Sequence, residues 1–334
     1  MTEADYDVIG IGNAIVDILV HAEDDFLASE GLAKGAMTLV DADASNALYA
    51  KVGPAVECSG GSAANTIAGL ASLGARCAFT GKVRDDQLGG VFGHDIRAIG
   101  VDFTTPAANA GPSTATCLIL VTPDAQRTML TYLGACVALS NDDIDSETIA
   151  ASQVTYLEGY LWDPPAAQEA FLAAATAAHA AGRKVALSLS DPFCVGRHRD
   201  GFRDLVDNHV DILFANEEEI TSLFEVDDFD AALQAARGRC DVAALTRGAK
   251  GSVVVAGDEV HVVDAEAVSR VVDTTGAGDA YAAGFLYEFT RHDDLARAAR
   301  TGGIAAAEVI SHMGARPDQP LGDLVRQRLG DAAD

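Results

Sequence analysis

Apolar residues follow two rhythms along this chain. Up to about residue 140 they fall in short runs broken by turn residues, and beyond it strand-length runs alternate with longer segments of helical period. Residues 7–11 form an apolar run that meets Gly12-Asn13, and 15–20 form a second, interrupted by Asp17, which predicts strand, turn and strand. Residues 26–59 mix Gly31, Gly35 and Gly53-Pro54 with a strand-like piece at 37–40, a pattern suited to a small β-rich flap. A helix is expected over 67–74 with Gly74 as its stop, a strand over 77–83, and a helix over 88–99 ending at Gly100. Two β-branched runs, 114–122 and 128–133, flank Pro123-Asp124-Ala125-Gln126-Arg127 and predict a hairpin that completes the flap.

In the second half, strands at 154–157, 184–189, 210–214 and 242–245 alternate with helices at 166–181, 199–207 and 217–224. That alternation predicts an α/β fold with a doubly wound, mostly parallel sheet and helices on both faces. Ligands bind such sheets beyond the carboxyl ends of the strands. Asp191, Asn216, Glu219, Thr246 and Asp279 are expected there. Near the end of the chain, Val271-Val272 reads as a strand, Asp273-Thr274-Thr275-Gly276-Ala277-Gly278 as a tight loop, and the alanine-rich segment from Asp279 as a helix. No repeat of 20–50 residues and no interdomain linker is visible, and the acidic end, 330–334, is expected to fray.

Composition narrows the functional classes. With 49% hydrophobic residues the 334-residue chain can bury a large core. No run reaches the roughly 18–20 apolar residues that a membrane span requires, and the first residues are acidic instead of signal-like, so a cytoplasmic protein without membrane contact is expected. A formal charge of −27 opposes binding to nucleic acid or anionic lipid. An anionic ligand must then be held locally, by loop amides, a few arginines and a bound cation. The acidity itself is read as a solubilising surface, with salt adaptation as the other source. Six cysteines without a C-x-x-C pair are expected as buried small residues.

The loop before Asp279 carries the chemistry. A helix start offers free backbone N–H groups and the positive end of the helix dipole, and two glycines let a phosphate approach closely. Asp279 would repel such an anion unless it accepts a proton from a hydroxyl that attacks the bound phosphoryl group. Asn216 and Glu219, one helical turn apart on a common face, are oxygen ligands placed to organise a hydrated magnesium ion; helix capping is the other reading of them. Thr246-Arg247-Gly248-Ala249-Lys250-Gly251, between two strands, is either a glycine turn or a holder of nucleotide phosphates and ribose. Gly10-x-Gly12-x-x-Ile15 lacks the third glycine of a dinucleotide fingerprint, Ala64 replaces the last glycine of a hydrolase nucleophile elbow, and no Walker A loop occurs.

Four segments in order, Gly60-Gly61-Ser62-Ala63-Ala64-Asn65, Asn216-x-x-Glu219, Thr246-x-Gly248-x-x-Gly251 and Asp273-Thr274-Thr275-Gly276-Ala277-Gly278-Asp279, make the chain resemble the ribokinase-like (PfkB) carbohydrate and nucleoside kinases. The segment from Gly12 to Ile18 and Arg127-Thr128-Met129-Leu130 are most similar to the adenosine kinase branch, whereas Leu133-Gly134-Ala135-Cys136 follows it loosely. The resemblance implies one kinase unit over 1–334, with a β-rich lid from about 13–58 and 102–136 inserted into the α/β core and the nucleotide-binding half at 140–330. It implies transfer of the ATP γ-phosphoryl to a primary hydroxyl, the 5′-hydroxyl of a nucleoside such as adenosine, or in the alternative a hydroxyl of ribose, fructose or 2-keto-3-deoxygluconate. It implies Asp279 as base, with Gly276, Ala277 and Gly278 as anion hole. Asn13, Asp17, Gly60, Gly61, Asn65, Arg127 and Tyr160 would bind the acceptor, and Asn216, Thr246, Gly248 and Gly251 the nucleotide. Asn216 and Glu219 would hold Mg²⁺ through water, and Asp273 and Thr275 would hold K⁺. Monomer and homodimer both remain open.

Overall fold

The computed structural model describes residues 4–124 and 126–330, so the expected fraying of 331–334 lies outside the described residues. In chain order the elements are β1 (Tyr6–Ile11), β2 (Ile15–His21), α1 (Asp24–Ser29), β3 (Met37–Leu39), α2 (Ala42–Tyr49), β4 (Val56–Gly60), α3 (Ser62–Leu73), β5 (Cys77–Thr80), α4 (Gln87–Ala98), β6 (Ala115–Val121) and β7 (Arg127–Tyr132). They continue with α5 (Ser146–Ala150), β8 (Ser152–Glu158), α6 (Pro165–Ala180), β9 (Lys184–Ser188), α7 (Pro192–Arg197), α8 (Arg199–Asn208), β10 (Ile212–Asn216) and α9 (Glu217–Phe224). The last are α10 (Phe229–Ala236), β11 (Val242–Thr246), β12 (Ser252–Ala256), β13 (Glu259–Val263), α11 (Ala277–Phe289), α12 (Leu295–Val309) and α13 (Leu321–Leu329).

The main sheet has eight strands in the order β13-β12-β11-β10-β9-β8-β1-β5. From β11 to β5 every pair is parallel, and β12 and β13 turn back antiparallel at one edge. Side chains alternate across it. Val8, Val154, Ile212 and Ala244 pack with α3 and α11 on one face, and Ile9, Leu157, Leu213 and Leu245 pack with α6, α8, α9 and α10 on the other. Burial on both faces explains why these strands read as continuous apolar runs. The acids of the sequence do local work at helix starts: Asp41, Asp86, Asp191, Asp228 and Asp294 each accept a backbone N–H as the N-cap of α2, α4, α7, α10 and α12.

A second sheet, order β3-β7-β6-β2-β4, is built from the first-half strands. The expected hairpin is β6 and β7, antiparallel in register Leu118↔Leu130. β1 and β2 do not form a hairpin with one another, because β1 enters the main sheet and β2 the second. One face of the second sheet, with Val16, Ile18, Leu118, Leu120 and Leu130, packs onto Leu27 of α1 and Leu48 of α2. The other face carries Ile15, Cys117, Ile119 and Met129.

Two local expectations change. Residues 26–59 include α1 and α2 between the strands, short helices of 6 and 8 residues. The strand expected at Val271-Val272 is absent: the Val272 N–H bonds the Ile310 carbonyl at 2.8 Å, just beyond α12, and Val271 is exposed. All six cysteines are free, with Cys58 and Cys240 half-buried and the others buried. No helix among the described residues is long and apolar enough to cross a membrane.

Candidate active site

The carboxyl ends of the parallel strands and the bare face of the second sheet enclose a cleft of about 790 Å³. Asn13, Asp17, Gly61, Asn65 and Tyr160 line it, as do Asn216, Glu219, Thr246, Thr275, Gly276, Ala277, Gly278 and Asp279. Gly60, Arg127, Asp273, Gly248 and Gly251 do not form its wall. Register accounts for part of this convergence, since Asn216 stands beside Thr246 across β10 and β11, and Glu158 beside Ser188 across β8 and β9.

Gly276 is the N-cap of α11 with φ +76, and a Cβ there would lie 2.7 Å from Ala315. The Ala277 N–H is drawn back to the Thr274 carbonyl at 3.2 Å, whereas the amides of Gly276 and Gly278 have no backbone partner among the described residues. Asp279, in the first turn, accepts from Ser62 Oγ at 2.6 Å. Burial pushes its carboxyl up to about 6, opposed by hydrogen bonds from Ser62 and Asn65.

Asp17 projects from β2 toward the same space. Burial raises it to about 6, against the pull of the Arg316 and Arg127 guanidinium groups. Gly60, paired with Ile15 at the end of β4, makes room for it: a Cβ on Gly60 would sit 2.3 Å from Asp17 Oδ2. Glu158, at the end of β8, is almost wholly buried and ties the β1–β2 turn to α3. It accepts from Asn13 Nδ2 at 2.5 Å, from Ala63 N at 2.8 Å and from Asn13 N at 3.3 Å. Burial raises its carboxyl to about 7 despite these donors.

Asn216 and Glu219 form a reciprocal cap on α9. Asn216 Oδ1 accepts the Glu219 N–H at 2.9 Å, and Glu219 accepts from Asn216 N at 2.9 Å and Nδ2 at 2.6 Å. Glu219 is buried and raised to about 7, chiefly by desolvation and then by the nearby Asp191 and Asp279. The Thr246–Gly251 segment is a 3₁₀ turn between β11 and β12, with Gly251 pressed against β13 so that a Cβ would lie 2.0 Å from the Val263 carbonyl.

Arg127 and Asp273 are brought to each other. Their 2.9 Å ion pair, buried on both sides, joins β7 of the second sheet to the loop before α11. Asp273 also accepts from the N–H groups of Thr275 at 3.0 Å and Gly314 at 3.1 Å. Ser62, Glu158, Ser190, Asp191 and Phe193 also line the cleft, although the sequence assigned them no role. Ser62 stood inside a motif and Asp191 at a strand end, whereas Glu158 carries no local signal. Ser190 holds φ +67, a strained backbone of the sort that gathers at ligand sites, and Phe193 is 77% exposed.

The profile of the pfkB family carbohydrate kinases matches residues 36–321. The adenosine kinase of Sinorhizobium meliloti is 52% identical, with a TM-score of 0.91 over 97% of this chain and 100% of that one. A probable sugar kinase from Rhizobium etli is 47% identical, with a TM-score of 0.91 over 97% and 99% of the two chains. The ATP-dependent ribose-1-phosphate kinase of Halopiger xanaduensis is 32% identical over 283 residues, 82% of this chain and 88% of its own.

Proposed function

The chain belongs to the pfkB family of carbohydrate kinases, phosphotransferases with an alcohol as acceptor, and from that premise we propose that it phosphorylates the 5′-hydroxyl of a nucleoside such as adenosine. The observation that carries the choice of a nucleoside is the acceptor wall. Ile15, Met37, Leu39, Cys117, Ile119, Met129 and Leu133 present an apolar surface to the cleft opposite the polar groups. A sugar would leave that wall unused, and a flat purine covers it. The likeness to the Sinorhizobium meliloti adenosine kinase supports the same reading.

ATP is the phosphoryl donor. The acceptor hydroxyl gives its proton to Asp279, whose raised pKa suits a base working near neutrality. Negative charge on the transferred group is met by the amides of Gly276 and Gly278, with Ala277 in the same turn, and by the N-terminal dipole of α11. Asp17 grips the acceptor's other hydroxyls, Gly61 and Asn65 complete the clamp with Asn13, and Tyr160 packs on the base. Thr246, with the turn at Gly248 and Gly251, borders the nucleotide end together with Asn216.

For Mg²⁺ the donor set fits: Glu219 and Asp191 flank the cleft, and Asp191 adds to the cost of ionising the buried Glu219, which a cation would relieve. Glu219 and Asn216 would hold the ion through water, and its charge would neutralise the phosphates. K⁺ fits poorly at Asp273 and Thr275, because the Arg127 guanidinium already neutralises that carboxylate; no step depends on it. Consumption of ATP implies a cytoplasmic enzyme, as monomer or homodimer.

An ATP-consumption screen tests the acceptor. Adenosine or guanosine is expected to turn over above ribose, fructose and 2-keto-3-deoxygluconate; a sugar that outruns both nucleosides replaces this reading with that of a sugar kinase.

A further inference from the structure

Arg316 lies in the loop between α12 and α13 and belongs to none of the motifs. Its guanidinium reaches two other elements. Nε donates to Asn65 Oδ1 on α3 at 3.1 Å, and Nη1 donates to Ser59 Oγ on β4 at 2.7 Å. Nη2 is buried without a hydrogen-bond partner, and the groups that act on the guanidinium are Cys58, Asp17 and Asp95.

A carboxamide has one accepting end and one donating end. By donating to the Asn65 oxygen, Arg316 decides which end is left for the opposite side: the nitrogen, a donor that favours the ionised form of the Asp279 carboxylate. Ser62, one turn earlier on the same face of α3, donates to that carboxylate as well. The reversed amide would set an oxygen against a carboxylate. We propose that Arg316 is a positioning residue of the acceptor site, which fixes the Asn65 carboxamide as a donor to Asp279 and compensates the charge of Asp17 beside it. This rests on the reading of Asp279 as base and Asp17 as clamp.

The two tasks separate chemically, because lysine carries the charge but has no N–H at the position of Nε. Arg316→Met is expected to lower kcat by about tenfold or more, to raise the acceptor KM and to leave the ATP KM unchanged. The acid limb of its kcat–pH profile is expected to move to higher pH, since Asp279 loses a donor that favours its ionised form. The other titratable groups around Asp279, namely Asp17 on β2, Tyr156 and Glu158 on β8, Tyr160 beyond it and Glu219 on α9, are unaltered in this variant. Arg316→Lys is expected to keep the acceptor KM near that of the wild type while retaining the fall in kcat and the displaced limb. Wild-type kcat and limb in either variant overturn the proposal. If Arg316→Met does not fold, Arg316→Lys decides alone, by the same two readouts. All ratios are taken on whichever nucleoside or sugar the wild type phosphorylates, so a failure of the nucleoside reading shows in the wild type and a failure of this proposal shows only in the variants.

Discussion

In the proposed mechanism Asp279 is the residue on which the chemistry turns, and its environment would set the pH at which it works. It acts as a base only when ionised, and burial raises its carboxyl to about 6, so activity is expected to fall as pH drops through that region, well above the range of an ordinary carboxylate. A kcat–pH profile checks this; a limb near pH 4 contradicts it. Asp279→Asn keeps the hydrogen bond from Ser62 and the shape of the turn, so the fold and ATP binding are expected to persist while kcat drops by roughly 10² or more. Turnover near that of the wild type excludes Asp279 as base. Residues of this sort were legible in the chain because they break a local rule: an acid at an anion site, or Asp17 inside an apolar strand. Glu158 and Arg316 break none. Each is an ordinary residue until the fold brings Asn13 and Ala63 to one and Asn65 and Ser59 to the other.

Elements succeed or fail by what surrounds them. The pairing of β2 with β4 places Gly60 beneath the Asp17 carboxylate, so Gly60→Ala thrusts a methyl group into a space 2.3 Å from Oδ2. The acceptor KM is expected to rise with the ATP KM unchanged; a change confined to ATP contradicts the assignment of Asp17 to the acceptor. The helices of the second half were legible from their period and caps because each is amphipathic over several turns. α1 and α2 were not, since helices of 6 and 8 residues are too short for a period to show, and the Asp41 cap of α2 was their clearest sign. Val271-Val272 has strand propensity but no ladder to join, and its backbone bonds the end of α12 instead.

At the scale of the whole molecule the surplus of acids matters most. Twenty-three basic residues face 50 acidic ones, a net −27 that repels itself in the compact state. The ion pairs on the surface, such as Lys184 with Asp211 and Asp241, relieve little of it. Screening should then stabilise the fold: the thermal midpoint is expected to rise as NaCl goes from about 20 mM to about 1 M, where the screening length shrinks to about 3 Å. A flat or falling midpoint shows that the acids are already balanced within the fold. By itself the sequence determined the alternation of strand and helix, the doubly wound sheet, the two glycine-rich helix starts and the acid at the second of them, because periodicity, caps and turn residues are properties of neighbours in the chain. Only the tertiary structure decided that Arg127 answers Asp273, that Gly60 makes room for Asp17 and that Arg316 meets Asn65, because those partners lie far apart in sequence and meet only when the two sheets close on one cleft.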